Sequence, residues 1–230
     1  MIDLSADVGE GAVDEAELWP LIDTANVACG GHTGDDASMR IAARFAREHD
    51  VILGAHPSYP DRASFGRKPL DISHDALRAS LIAQLESLRA IAPIHHAKPH
   101  GALYNGAHKD FALASVIVDA LRAVDPSLAL VAPDRSEMSN AARAAGTRVI
   151  REAFADRRYL PDGSLMPRTQ PGSLLTVDES AAQAELLANE AVVIAADGSR
   201  VAIAFDTLCI HSDMEGALSR LRAIRARLGV

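Results

Sequence analysis

Apolar residues fall along this chain in short runs of four or five, separated by longer stretches in which they recur every three or four positions. Short runs bounded by turn residues predict buried strands, and the longer period predicts amphipathic helices. The predicted strands cover residues 2–6, 26–29, 51–55, 94–98, 128–132, 149–153 and 207–210. Ser73 is placed to cap a helix whose face carries Leu77, Leu81, Leu85 and Leu88. A second helix carries Phe111, Ala114, Ile117, Val118 and Leu121, and a last one, after Asp213, carries Met214, Leu218, Leu221 and Leu228. Gly146 stands where a helix C-cap precedes the next strand.

Strand–helix alternation with short connections predicts a parallel sheet. The positions of the polar residues favour a closed barrel over an open doubly wound sheet. Asp7, His32, His56, Lys98 with His100, the 154–158 run and His211 each follow a predicted strand. In a barrel the carboxyl ends of all strands meet at one mouth, whereas an open sheet would hold edge residues apart. With no repeat, linker or low-complexity segment, the expectation is one (β/α) barrel domain over 1–230.

Composition narrows the function. A hydrophobic content of 48% over 230 residues supports a full core. The net charge of −8 and the lack of basic clusters interleaved with aromatics argue against nucleic acid. Cys29 and Cys209 match neither a metal-finger spacing nor a disulfide framework, and are expected as buried reduced thiols. No apolar run approaches the ~20 residues of a membrane helix. The start MIDLSADVGEG has no signal-peptide pattern, so a cytoplasmic protein is expected.

Candidate chemistry gathers at the strand ends. Asp7 leaves the first strand ahead of Gly9, Glu10 and Gly11. In the 26–35 loop, Asp35 or Asp36 suits a helix cap, while His32 has no capping purpose; Gly30 and Gly31 before it suggest close approach to a ligand. Pro57, Tyr59 and Pro60 stiffen the loop after His56, and Arg62 and Arg67 have the fork geometry for a carboxylate or phosphate, though a solvated arginine is as ordinary a reading. Lys98 is one of three lysines against twenty arginines. At a strand end it can serve as an electrostatic stabiliser, or as a base if its pKa falls, with His100 as neighbouring acid–base group. His95 and His96 alternate faces, so at most one points inward. The long polar 152–168 stretch suits a loop over the mouth. There is no Gly-x-Ser-x-Gly elbow, phosphate loop or dinucleotide fingerprint.

The segments SADVGEG, ANVACGGHTGD, GAHPSYPDRASFGR, KPHGALYN and EAFADRRYLPDGSLMPR, in this order, resemble the LamB/YcsF family, the A subunits of ATP-dependent 5-oxoprolinase. The resemblance runs over essentially the whole chain. It implies a seven-stranded parallel (β/α) barrel of the glycoside hydrolase/deacetylase type and opening of the lactam ring of 5-oxo-L-proline to L-glutamate, driven by ATP with Mg and carried out with subunits B and C. The family's polar residues map onto Asp7, Glu10, Asn26, His32, Asp35, His56, Arg62, Lys98, His100, Asn105, Asp156, Arg157, Arg168 and His211. Of these, Asp7, Glu10, Lys98 and His100 are assigned to catalysis and the others to substrate or phosphate. The chain departs from the family pattern at Gly31, where Phe is common, across 89–93, which is shorter, and at Ser212, where Gly is usual. The implied activity needs no tightly bound metal. The alternative is a stand-alone metal-dependent amidase or deacetylase with Asp7, His32 and His56 as ligands; a non-catalytic binding protein is a third reading.

Overall fold

The computed structural model describes residues 2–212 and 216–230. Seven parallel strands close a barrel: β1 (Asp3–Val8), β2 (Thr24–Ala28), β3 (Ile52–His56), β4 (His96–Ala97), β5 (Ala129–Ala132), β6 (Val149–Phe154) and, after a two-stranded antiparallel hairpin of β7 (Val192–Ile194) and β8 (Arg200–Ala202), β9 (Thr207–Ile210). β9 lies between β6 and β1 and completes the ring. Residues of β2, β5 and β9 are buried throughout, as expected of strands covered by the barrel interior on one face and helices on the other. That double burial is why the strands read as continuous apolar runs.

Eight helices surround the described barrel: α1 (Glu15–Leu18), α2 (Asp36–Glu48), α3 (His74–Arg89), α4 (Gly101–Ala107), α5 (Phe111–Val124), α6 (Glu137–Ala144), α7 (Val177–Glu190) and α8 (Ala217–Leu228). The Ser73 hydroxyl accepts from the Ala76 amide at the start of α3, and Leu77, Leu81, Leu85 and Leu88 are all buried. Gly146 has a left-handed φ of 70° just past α6. Phe111 corrects the expected face of α5: as the first helical residue it is 48% exposed, and the buried stripe begins at Ala114. In α8, Leu221 is buried; the expected contributions of Asp213 and Met214 lie outside the described residues. No described helix is long and apolar enough to cross a membrane.

Register carries the site. Asp7 aligns with Asn26, and Asn26 with Gly54, so one level near the carboxyl ends of β1–β3 holds three inward positions. A Cβ at Gly54 would sit 2.0 Å from His96 Nε2. The missing side chain there is what lets an imidazole fill the barrel at that level.

Candidate functional site

The mouth has a charged half and an imidazole half. In the charged half, Lys98 is 3% exposed and lies at the end of β4. Its Nζ stands 2.9 Å from Asp7 Oδ1, 2.7 Å from Glu152 Oε1 and 3.0 Å from Cys209 Sγ. It also lies over the Phe154 ring, 5.3 Å from the centroid. Burial alone would lower the Lys98 pKa, but Asp7, Cys209 and Glu152 outweigh it and hold the ammonium well above its usual range. Burial likewise pushes the Asp7 carboxyl up, and its surroundings, His56 and the Lys98 ammonium at 2.9 Å first among them, outweigh this and keep it low. Glu152 is pushed up by burial, with Lys98 only partly opposing, and takes a hydrogen bond from the Tyr104 hydroxyl at 2.8 Å. Of the two roles open to Lys98, this pairing favours the electrostatic one, a cation fixed between carboxylates.

A polar chain orients Asp7. Asn26 Nδ2 donates to Asp7 Oδ1 at 3.0 Å, and Asn26 Oδ1 accepts from His96 Nε2 at 2.9 Å. His96 is the inward member of the His95–His96 pair, as alternation requires, and burial lowers its pKa to about 3. The Ser212 hydroxyl donates to the Asp7 carbonyl and so anchors the backbone that carries the carboxylate.

The imidazole half is built from the loop after β2, the last residue of β3 and the segment after β4. His32, His56 and His100 are all buried and converge with Glu10. His32 Nε2 is 2.8 Å from Glu10 Oε1, and the His32 ring stacks on His100 with centroids 3.7 Å apart. Burial lowers the pKa of His32 and of His100 to about 4, and that of His56 well below the usual value. All three are neutral at pH 7.

The other residues singled out in the sequence are placed differently. Asp156 accepts from the His211 backbone amide at 2.9 Å and from its Nδ1, and His211 stacks on Phe154, so this pair borders the charged half. Asp35 is exposed and forms a capping box with Ser38 at the start of α2, which corrects its assignment to substrate. Arg62 is exposed and donates to the carbonyls of Gly30 and Gly34, bracing the 30–34 loop. Gly31 makes its close approach to protein: a Cβ there would meet Ser58 and Gln84 at 2.3 and 2.4 Å, so the ligand explanation for that glycine is withdrawn. Arg157 is buried, and its side chain donates to the Met166 and Ser173 carbonyls. It shapes the 157–173 loop. Arg168 is exposed in that loop, and Asn105 is exposed on α4. Of the Asp7–His32–His56 ligand set, Asp7 Oδ2 stands 3.4 Å from His56 Nε2 while its Oδ1 takes Lys98, and the group of donors that are all mutually close is Glu10, His32, His56 and His100.

Glu152, Tyr104 and Cys209 complete the charged half and were not among the residues assigned a role from sequence. Glu152 had a signal, a lone carboxylate in the apolar run of β6, but it lies inside the strand and not past its end.

Comparison with known proteins agrees with this architecture. The model of the LamB/YcsF family matches residues 2–229. A curated protein from Symbiobacterium thermophilum, named as the A subunit of 5-oxoprolinase, is 45% identical over 239 residues, covering 99% of this chain and 91% of that one. The crystal structure of the lactam utilization protein from Thermus thermophilus superposes with a TM-score of 0.93 at 40% identity, covering 99% of this chain and 96% of that one.

Proposed function

This chain belongs to the LamB/YcsF family, and we propose that it acts as the A component of an ATP-dependent 5-oxoprolinase, opening 5-oxo-L-proline to L-glutamate with B and C partners. The observation that carries the reading is the buried Lys98 cation held between Asp7 and Glu152 at a mouth that also offers neutral imidazoles. A five-membered lactam is a resonance-stabilised amide. Transfer of the γ-phosphoryl group from Mg–ATP to the lactam oxygen releases ADP and leaves the ring carbon open to water. Addition of water, cleavage of the ring C–N bond with protonation of nitrogen, and departure of phosphate then give glutamate.

A preorganised cation in a dry site stabilises the negative charge that develops on such oxygens. Lys98 suits that role, since Asp7, Glu152 and Cys209 hold its ammonium in place. Asp7, held ionised by its surroundings, is suited to accept a hydrogen bond from the attacking water and orient it. His100, a neutral imidazole, lines the adjoining half of the same mouth with both ring nitrogens engaged, Nδ1 toward His56 and Nε2 on the Phe65 carbonyl. The chain has no phosphate-loop motif, so we assign delivery of the phosphoryl donor and exclusion of water to the partner subunits.

The test is to assay the purified chain with Mg–ATP and 5-oxoproline for glutamate and phosphate, then to repeat the assay with B and C present. Activity is expected only in the assembly. Robust glutamate release by the chain alone would reject the subunit reading, and release without ATP would replace it with a stand-alone hydrolase.

A further inference from the structure

The hydrogen bonds around the histidines decide which ring nitrogens carry protons. His56 Nδ1 lies 2.7 Å from the carbonyl oxygen of Lys98. A carbonyl only accepts, so Nδ1 holds the proton and Nε2 presents its lone pair. His100 Nε2 lies 3.0 Å from the carbonyl oxygen of Phe65, so in this ring it is Nδ1 that is bare. Those two bare nitrogens, His56 Nε2 and His100 Nδ1, face each other at 3.0 Å. Neutral, they place lone pair against lone pair in a buried site. Something electrophilic is called for between them.

Glu10 supplies the third donor. Its Oε1 stands 3.4 Å from His100 Nδ1 and 3.7 Å from His56 Nε2. The three atoms thus form a triangle with edges of 3.0, 3.4 and 3.7 Å. A tetrahedral ion with bonds of about 2.1 Å sets its ligands about 3.4 Å apart. We propose that Glu10, His56 and His100 bind one divalent transition-metal ion of the zinc class, with His32 as the positioning residue that hydrogen-bonds Glu10.

A lone proton shared by the two histidines fits less well. It would bridge only the two nitrogens and leave Glu10 Oε1, 3.4 and 3.7 Å away, outside the contact, whereas one ion meets all three donors. His32 is assigned outside the ligand set because its ring is stacked on His100, 4° from parallel at 3.7 Å. Two parallel rings cannot both aim an in-plane lone pair at one ion between them. Its Nε2 meets Glu10 Oε1 at 2.8 Å, where it fixes the carboxylate. The backbone carbonyls of Lys98 and Phe65 do the same for the two ligand imidazoles. Two imidazoles and a carboxylate leave a coordination position for water or for a carbonyl or phosphoryl oxygen, the arrangement of catalytic rather than structural zinc sites. Metal binding is read without substrate, so this inference and the 5-oxoproline reading can fail separately.

The experiment uses the full chain, stripped with a chelator and titrated with Co(II) in place of zinc. Visible d–d bands should saturate at one ion per chain and be displaced by Zn(II). His56→Gln, His100→Gln and Glu10→Gln should each weaken Co(II) binding by more than about 100-fold, and His32→Gln by about 10-fold, the usual effect of an outer-shell partner. His95→Gln, on an exposed histidine, should change nothing. If a histidine variant fails to fold, X-ray absorption on the zinc-loaded native chain decides: two imidazoles and a carboxylate support the site, and a sulfur or all-oxygen shell overturns it. Absence of binding, sub-stoichiometric binding, or binding indifferent to Glu10→Gln also overturns it.

Discussion

The two halves of the mouth are about equally buried, yet one is ionised and the other neutral. Lys98 has two carboxylates and a thiol within 3.0 Å, so burial strengthens its pairing and the charges persist. His32, His56 and His100 mostly face one another, so burial acts on them without enough compensating charge and their protons are lost. The same desolvation therefore gives a permanent cation on one side and a set of lone pairs on the other. The difference lies in which strand ends contribute: β1, β6 and β9 bring the partners of Lys98, while the loop after β2, the end of β3 and the segment after β4 bring imidazoles. A site with both can bind an anion and an electrophile side by side.

The largest effect is expected where the charged half is broken. Lys98→Ala removes the cation from Asp7 and Glu152, and turnover of the assembled enzyme should fall at least about 1,000-fold. Stability should fall as well, by about 3–5 kcal/mol, because two buried carboxylates lose their partner. Pairing Lys98→Met with Glu152→Gln should restore much of the melting temperature while leaving the enzyme inactive. Recovery of activity with stability would show that Lys98 serves only the fold.

A smaller effect sharpens the contrast from the neutral side. His96 lies one layer deeper, packed where Gly54 has no side chain, and is neutral with a pKa lowered to about 3. Its folded value is below that of a free histidine, so the unfolded chain binds the extra proton as pH falls. The stability His96 contributes is therefore intact above about pH 6.5 and is lost progressively from there down toward about pH 3. Between these limits, His96→Gln should flatten the slope of unfolding free energy against pH by up to about 1.4 kcal/mol per unit relative to the native chain. Denaturant melts at closely spaced pH values would measure it, and parallel slopes would show that His96 is charged in the fold.

Much of this was legible in the residues. Doubly buried strands leave apolar runs, and all seven barrel strands left one; β4 has only two ladder residues but its run, 94–98, was still visible. The β7–β8 hairpin was not anticipated, although Asp197-Gly198 between two apolar runs is a turn signal, because the strands are only three residues each. Of the site, the strand-end rule found Asp7, Lys98, His56 and His100. It passed over Glu152, which points inward from within a strand. It also could not separate arginines that hold ligands from arginines that hold loops. Arg62 and Arg157 spend donors on backbone carbonyls, and sequence does not show where a loop turns its carbonyls.

Asp35 gives the smallest effect and marks where the site ends. It belongs to the ANVACGGHTGD segment, three residues from His32, yet its carboxylate accepts from the Ser38 amide at 2.8 Å and the Ser38 hydroxyl meets the Asp35 backbone. Those hydrogen bonds hold its pKa below the usual value while the group remains in solvent. An N-cap of this kind contributes about 1 kcal/mol, and serine substitutes for aspartate at little cost. Asp35→Ala should therefore lower stability by about 1 kcal/mol, Asp35→Ser by less, and both should leave turnover within about twofold. If the residue instead bound substrate, both variants would raise KM by about tenfold or more, with the melting temperature tracking neither change. Measuring melting and KM on the same two proteins separates these outcomes, since a cap is rescued by serine and a charge-dependent contact to substrate is not.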